Sequence, residues 1–286
     1  MMRLILDIWC RCKSYLFKSA NEVIANIDRN GIFVAENLEN EEIIGYCSGI
    51  IIGPNIGFIG GYAVLPEYQG LGVGSSIWQQ VMQHLGDRNI GLWARNEKIG
   101  HKYEEKWGFK AITYKHAVHM TGNVVIADNI VDSFNGITVC SINDKLLANV
   151  AKYDGIVTGG LDRRVFIDGV IKSPETWHLV AINELQEVCG YCFIIGVCGN
   201  AAMIGPLYAD NKTVAELLVG RCCKLVPNDR LQKVYYYCWD TNPNAIKIAK
   251  KLGLCQTYDS IIMFTKESYD GQLDKIYSVS SHVYPV

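Results

Sequence analysis

The chain has 286 residues, enough for two domains at roughly 100–200 residues each, and 49% hydrophobic against 20% charged residues is a packed globular composition that excludes disorder. Lys and Arg number 27 and Asp and Glu 29, a formal charge of −2, so there is no basic footprint for nucleic acid or for an anionic membrane. The 11 cysteines are odd in number and scattered through both halves, which reads as reduced thiols of a cytoplasmic protein and not as a disulfide framework.

Met1 to Cys12 is apolar, with Arg3, Arg11 and Lys13 nearby. Asp7 interrupts the run and no small-residue cleavage site follows, so it does not read as a signal peptide. Gly31 to Glu36, Ile43 to Ile52 and Phe58 to Leu65 read as strands, the last two joined at Gly53-Pro54-Asn55. A helix is predicted from about Gly72 to Leu85, with Ile77, Trp78, Val81, Met82 and Leu85 at i, i+3, i+4 spacing. Ile90 to Ala94 is the next strand, Ile99 to Lys106 a helix stopped by Gly108, and Thr113 to Met120 a last strand. Thr121 to Asn135 forms a junction. Strands mixed with two crossover helices make an α/β domain with a mixed sheet.

The same order then repeats. Gly45-Tyr46-Cys47 recurs 145 positions later as Gly190-Tyr191-Cys192, and Ile59-Gly60 as Ile204-Gly205. Trp93-Ala94-Arg95-Asn96 matches Trp239-Asp240-Thr241-Asn242 at an offset of 146, and Gly108-Phe109 matches Gly253-Leu254 at 145. The shift implies one extra residue in the first copy between Asn96 and Gly108. A domain-sized period means two tandem copies of one fold, here residues 1–125 and 135–286. The charge-free stretch Val188 to Ala209 is long enough for a membrane span, but it reads as two buried strands joined at Gly199-Asn200.

The chemistry concentrates at Val64-Leu65-Pro66-Glu67-Tyr68-Gln69-Gly70-Leu71-Gly72-Val73-Gly74, between an apolar strand and an amphipathic helix. Glycines there let a ligand approach the backbone, and the free N–H groups of the first helical turn suit a phosphate or pyrophosphate. Gln69 and Ser75 could add side-chain hydrogen bonds. A Walker loop would need a terminal Gly-Lys-Ser/Thr, which is missing. A dinucleotide fingerprint needs G-x-G-x-x-G, whereas Gly70, Gly72 and Gly74 make G-x-G-x-G, and Asp87 lies at a turn and not at a strand end.

The pattern Gln69-x-x-Gly72-x-Gly74 after a strand and Val-x-Pro resembles the acetyl-CoA motif of the GNAT (Gcn5-related N-acetyltransferase) superfamily. Asn96-x-x-Ile99-x-x-x-Tyr103 followed by Gly108-Phe109 resembles the family's second motif. Ile204-Gly205-Pro206-Leu207-Tyr208-Ala209-Asp210 is similar to the second domain of the tandem YitH-like acetyltransferases. The resemblance implies two tandem GNAT acyl-CoA N-acyltransferase domains, the second degenerate, with acetyl-CoA or coenzyme A bound by the first. It implies a sheet that splays open, with Ala63, Val64 and Leu65 on the pantetheine arm. Gln69, Gly70, Leu71, Gly72, Val73, Gly74 and Ser75 would lie on the pyrophosphate, and Asn96 on the pantetheine or the next helix. Tyr103 would sit near the sulfur as the acid for the leaving thiolate. The implied reaction is direct attack on the thioester by a primary amine, of a small molecule or a lysine side chain, after that amine has lost a proton.

There are departures from the family pattern. The family places its tyrosine four residues before Gly-Phe; here Tyr103 is five before Gly108 and Glu104 is four before it, so either Tyr103 or Glu104 faces the thioester. About 30 residues precede Gly31, where the resemblance implies a strand and two helices, so an altered or open acceptor side is expected. In the second copy, Asp210 to Glu216 contains no glycine and Ala249 stands where Tyr103 does, so that copy has lost its cofactor site.

Other candidates are weaker. Cys189-Gly190-Tyr191-Cys192 falls within a strand, where residues three apart face opposite sides and no helix lowers a thiol pKa. Cys10-x-Cys12 and Cys222-Cys223 lack zinc spacing, and no metal is expected. His101 and Glu104 read as an exposed pair one turn apart. Glu67 is a loop carboxylate or a base, and Tyr62, Trp93 and Arg95 are acceptor-site or rim residues. Two functions remain open on sequence alone, an active N-acetyltransferase and a CoA-binding or protein-interaction module without chemistry. The oligomeric state is not legible.

Overall fold

The computed structural model describes residues 20–111, 115–125, 133–197, 199–279 and 284. The apolar stretch Met1 to Cys12, the start of the predicted strand at Thr113 and much of the Thr121 to Asn135 junction lie outside them.

The first copy contains α1 (Ala20–Ile27), β1 (Ile32–Asn37), β2 (Glu42–Gly53), β3 (Ile56–Val64), α2 (Val73–Leu85), β4 (Asn89–Ala94), α3 (Glu97–Trp107) and β5 (His116–Gly122). Helix α2 buries Ile77, Trp78, Val81 and Leu85 on one face, as its spacing predicts. It packs on β2, where a Cβ at Gly45 would come within 2.6 Å of Ile77 and one at Gly49 within 2.5 Å of Val81. The second copy contains β6 (Thr138–Cys140), α4 (Asp144–Val157), α5 (Arg164–Lys172), β7 (Thr176–Ile182), β8 (Val188–Val197), β9 (Ala201–Ala209), α6 (Lys212–Cys223), β10 (Val234–Trp239), α7 (Pro243–Lys251), β11 (Cys255–Phe264) and β12 (Ile276–Ser278). β8 and β9 are the two strands expected in the charge-free stretch, and Gly199 and Asn200 between them take positive φ. Among the described residues, no helix is long and apolar enough to cross a membrane.

All strands join one mixed sheet in the order β1-β2-β3-β4-β11-β5-β10-β9-β8-β7-β6, with β12 added on β9. The fold is thus a mixed α/β architecture of two like halves, and their last strands are exchanged. β11, from the second half, runs antiparallel on β4 of the first from Ile261↔Ala94 to Phe264↔Gly91. β5, from the first half, runs antiparallel on β10 of the second from Ala117↔Trp239 to Gly122↔Val234. β5 and β11 also pair with each other, and their pair His116↔Ile261 joins residues one repeat apart. The repeated tryptophans Trp93 and Trp239 stack face to face at this seam, with centroids 5.1 Å apart and planes at 16°. Helices α1 and α5, also one repeat apart, cross where Gly169 lets Val23 approach to 3.1 Å of a Cβ position.

One expectation is corrected. Cys189 and Cys192 both point into the same core cluster. Ala181 pairs with Gly190 and Ile182 with Val188, so Cys189 is the extra residue of a β-bulge, and the bulge resets the alternation. Both thiols are unpaired with each other, and burial pushes Cys189 up to about 11 and Cys192 far above its ordinary value. Redox chemistry needs a shift in the other direction.

A polar tie also crosses the seam. Lys115, 4% exposed at the start of β5, is paired with Asp270 and lies 4.8 Å from the Trp239 ring. Burial works against the Asp270 carboxylate, but hydrogen bonds from Lys115 and Ser268 and the Lys115 charge hold it below its ordinary value. A lowered carboxylate pKa gives stability above the unfolded-state value and loses it as pH falls through the folded one. Asp270→Asn should therefore cost about 2 kcal/mol near neutral pH, less than a fully buried pair because the carboxylate is half exposed. Denaturant unfolding as a function of pH should show the gap between parent and variant closing as the solution is acidified below the carboxylate range.

Candidate functional site

The sheet opens between β3 and β4. Their parallel pairing runs from Ile56↔Asn89 to Ile59↔Leu92 and stops, although β3 continues to Val64 and β4 to Ala94. The cause is local. Gly61 sits at φ 63°, and the β2–β3 register slips by one residue between Tyr46 and Ser48. This bulge turns the last residues of β3, Ala63 and Val64, away from β4 and leaves a gap between the two strands.

The gap leads to the start of α2. Leu65 is fully buried and anchors the loop, and Pro66–Tyr68 forms a short 3₁₀ turn carrying the exposed Glu67. The Gln69 side-chain amide donates to the Val64 carbonyl at 2.9 Å and closes the loop on itself. Gly70 and Gly72 take φ of 81° and 88°, a region that other residues enter at a cost, and nothing lies within 4 Å of either Cβ position. Leu71 between them is 71% exposed. No side chain caps α2, and its first internal bond runs from the Ser76 N–H to the Gly72 carbonyl. The N–H groups of Val73, Gly74 and Ser75 are thus the uncapped donors of a helix N-terminus. Lys106, on α3, brings its Nζ to 3.3 Å from Ser75 Oγ and adds a positive charge there. Sequence reading missed this lysine, because only the packing of α3 beside α2 brings the two together.

Gly74 has another reason to be glycine. Its conformation is ordinary helix, but a Cβ there would overlap the Tyr62 hydroxyl. Tyr62 thus lies on the helix side of the sheet, edge-on to Trp78 at 5.3 Å. Trp78 in turn stacks on Tyr103 at 5.1 Å and 17°, with Trp107 and Phe109 completing the cluster. The Trp78 indole N–H is buried and without a partner among the described residues. Trp93 and Arg95 lie on the opposite side. Trp93 packs on Trp239, and the Arg95 guanidinium stands 5.4 Å over the Tyr258 ring.

The rotation of α3 separates the two candidate acids. Tyr103 is turned into the aromatic cluster, where burial raises it to about 12. Glu104 is turned to solvent, 3.5 Å from His101 with both side chains exposed. The extra residue of the first copy falls after Tyr103. The Phe109 N–H reaches the Tyr103 carbonyl six residues back, while the Leu254 N–H reaches the Ala249 carbonyl five back. Asn96 caps α3, its side chain accepting from the Ile99 N–H at 3.0 Å.

The second copy opens in the same way, with β9–β10 pairing that stops at Ile204↔Tyr236. It lacks the glycine loop outright: between the ends of β9 and α6 stand only Asp210 and Asn211, against Leu65 to Gly72 in the first copy. Asn211 caps α6, and Asp210 is held by Tyr153 and Lys275, each at 3.1 Å.

Comparisons with known proteins fit this geometry. Residues 2–109 match a model described as acetyltransferase (GNAT) family, and residues 150–278 match one described as acetyltransferase (GNAT) domain. The holothin acyltransferase of Pseudoalteromonas sp. (strain SANK 73390) is 24% identical over 258 residues, 90% of this chain and 82% of its own. Among solved structures, a candidate acetyltransferase from Pyrococcus horikoshii superposes with TM-score 0.72 at 16% identity, over 99% of this chain and 92% of that one. A tandem GNAT protein from the clavulanic acid biosynthesis pathway superposes with TM-score 0.66 at 14% identity, over 93% and 95%.

The cap at Asn96 can be tested without any ligand. Asn96→Ala should lower stability by about 1 kcal/mol, read by denaturant unfolding, because it removes the side-chain acceptor at the start of α3.

Proposed function

Because the chain carries two domains of the GNAT acetyltransferase family in tandem, we propose that the first transfers an acetyl group from acetyl-CoA to a primary amine. One observation carries the reading: the gap between β3 and β4 leads straight to the uncapped, glycine-flanked start of α2. Residues Val73 to Ser75 would hold the pyrophosphate through backbone N–H groups, with Lys106 supplying charge. The backbone of Ala63 to Leu65, freed from β4, would pair with the amides of the pantetheine arm, and the Asn96 side chain would reach the same arm. Gln69 would act indirectly, by fixing the loop.

The chemistry then asks two things of this chain. The incoming amine must be neutral, and the departing sulfur must receive a proton as the C–N bond forms and the C–S bond breaks. Tyr103 suits the second task. Desolvation keeps its hydroxyl protonated up to about 12, so it is a donor at every working pH. Glu104 points away and is not needed. The acceptor would be a small molecule in preference to a protein lysine, a choice supported by the holothin acyltransferase, similar along most of the chain. We place the protein with the tandem YitH-like enzymes, acting in the cytoplasm.

Calorimetric titration of the full chain with acetyl-CoA should give one site, and Gly72→Asp should abolish it while leaving the fold intact by circular dichroism. Unchanged binding by that variant would sink the site. Tyr103→Phe should lower kcat about a hundredfold with little change in KM for acetyl-CoA, and Glu104→Gln should stay within about twofold. Activity should rise with pH as the acceptor amine loses its proton, with no descending limb from Tyr103 until pH approaches 12. Binding without turnover on any amine would reduce the protein to a CoA-binding module.

A further inference from the structure

The gap in the second copy is filled by the chain itself. Strand β12 lies antiparallel on the part of β9 that has left β10, with Ile276↔Tyr208 and Ser278↔Leu207. On its other side the Val279 N–H donates to the Tyr237 carbonyl of β10 at 2.9 Å. Ser278 ties all three strands. Its hydroxyl donates to the Ile204 carbonyl at 2.7 Å and accepts from the Tyr237 N–H at 3.4 Å. Ile276 to Val279 are all buried to 2% exposure or less. A Cβ on Gly205, at the bulge of β9, would overlap the Val279 carbonyl.

The approach to this strand is clamped as well. The Asn242 side-chain amide donates to the carbonyls of Leu273, Asp274 and Ile276 at 3.2, 3.3 and 3.0 Å. Lys275 pairs with Asp210 at 3.1 Å. These anchors repeat the first copy's geometry: Asn242 is one repeat from Asn96, and Tyr208 one repeat from Ala63. A peptide strand and an extended chain of amides such as pantetheine make the same demands on an open sheet edge.

We infer that the second cleft is a binding site for an extended peptide strand, that its ligand is the chain's own Ile276–Val279 segment, and that it no longer accepts CoA. The parallel with pantetheine rests on the proposed function of the first cleft; the peptide site does not.

The test uses the full chain and the variants Ser278→Ala and Ile276→Ala/Ser278→Ala, which loosen the attached strand and leave Asn242 and the rest of the cleft intact. Three probes are applied: amide hydrogen exchange of residues 276–279, a labelled synthetic peptide with the sequence Gln272 to Tyr284, and acetyl-CoA by calorimetry. Exchange should be roughly tenfold faster for each anchor lost. The labelled peptide should bind the double variant one to one, and the parent not at all. The number of acetyl-CoA sites should be the same in parent and variants. Unchanged exchange would mean that these anchors do not hold the strand, and would overturn the inference. So would a released strand with no peptide binding, or an additional acetyl-CoA site in the variant. Ser278→Ala alone serves where the double variant does not fold. Failure of acetyl-CoA to bind any form would count against the first cleft only, since the peptide and exchange arms are independent of it.

Discussion

The exchange of β5 and β11 is the constraint on which the rest depends. A central strand leaves N–H and C=O groups on both edges, and both must be paired once buried. β4 finds its second partner only in β11, and β10 only in β5. Neither half closes its own sheet, and the core cluster around Trp239 draws residues from both, from Val23 and Phe58 to Phe193 and Tyr237. This gives a physical reason for a second domain that lacks the glycine loop of the first. It supplies the strand against which β4 stands, and β4 is one wall of the first cleft.

The two clefts show one problem solved twice. In each copy the parallel pairing ends and a bulge, at Gly61 or Gly205, swings the outer strand away. Opening a sheet exposes two rows of backbone groups that want partners. In the first copy the strands open toward a loop with free donors, where a ligand can complete them. In the second copy the loop has shrunk to two residues and β12 completes them instead. The same backbone therefore makes an open cleft or a closed core, depending on loop length and on whether the chain returns.

What could be read from the sequence follows from this. The repeat, the strand order within each half and the helix over Val73–Leu85 were all legible, because alternation, 3.6-residue spacing and glycine punctuation are local signals. The open start of this helix was legible too, from three glycines at a strand-to-helix junction. The reason for each glycine was not: Gly70 and Gly72 stand open, whereas Gly74 makes room for Tyr62, a residue twelve positions earlier. The hydrogen bond by which Gln69 closes the loop on Val64 was not legible either. The strand exchange left no trace, because two copies of one pattern offer the same partners to either last strand. β12, of three residues, is too short for any periodicity.

A buried ion pair extends the same logic to the other side of the second sheet. Arg163 and Asp154 are fully buried, with Nε donating to Oδ2 at 2.9 Å and a second bond between NH2 and Oδ1. Tyr191 donates to the same carboxylate, Tyr208 accepts from the guanidinium at 3.2 Å, and the rings of Phe166 and Tyr284 pack against it. Burial alone would lower the Arg163 pKa, but Asp154 and the tyrosines hold it well above the ordinary value, so it stays charged. Such a pair offsets its desolvation only when every donor and acceptor is met, which fixes the groups around it. Tyr191 is one repeat from Tyr46, which among the described residues packs against Ile32 and Val34. The second domain is thus filled on both faces of its opening, by β12 between the strands and by Arg163 with its partners beneath them. Removing Asp154 alone would strand a cation in that core. The closed copy and the open copy are therefore distinguished by what fills the gap, and the exchanged strands join both into one sheet.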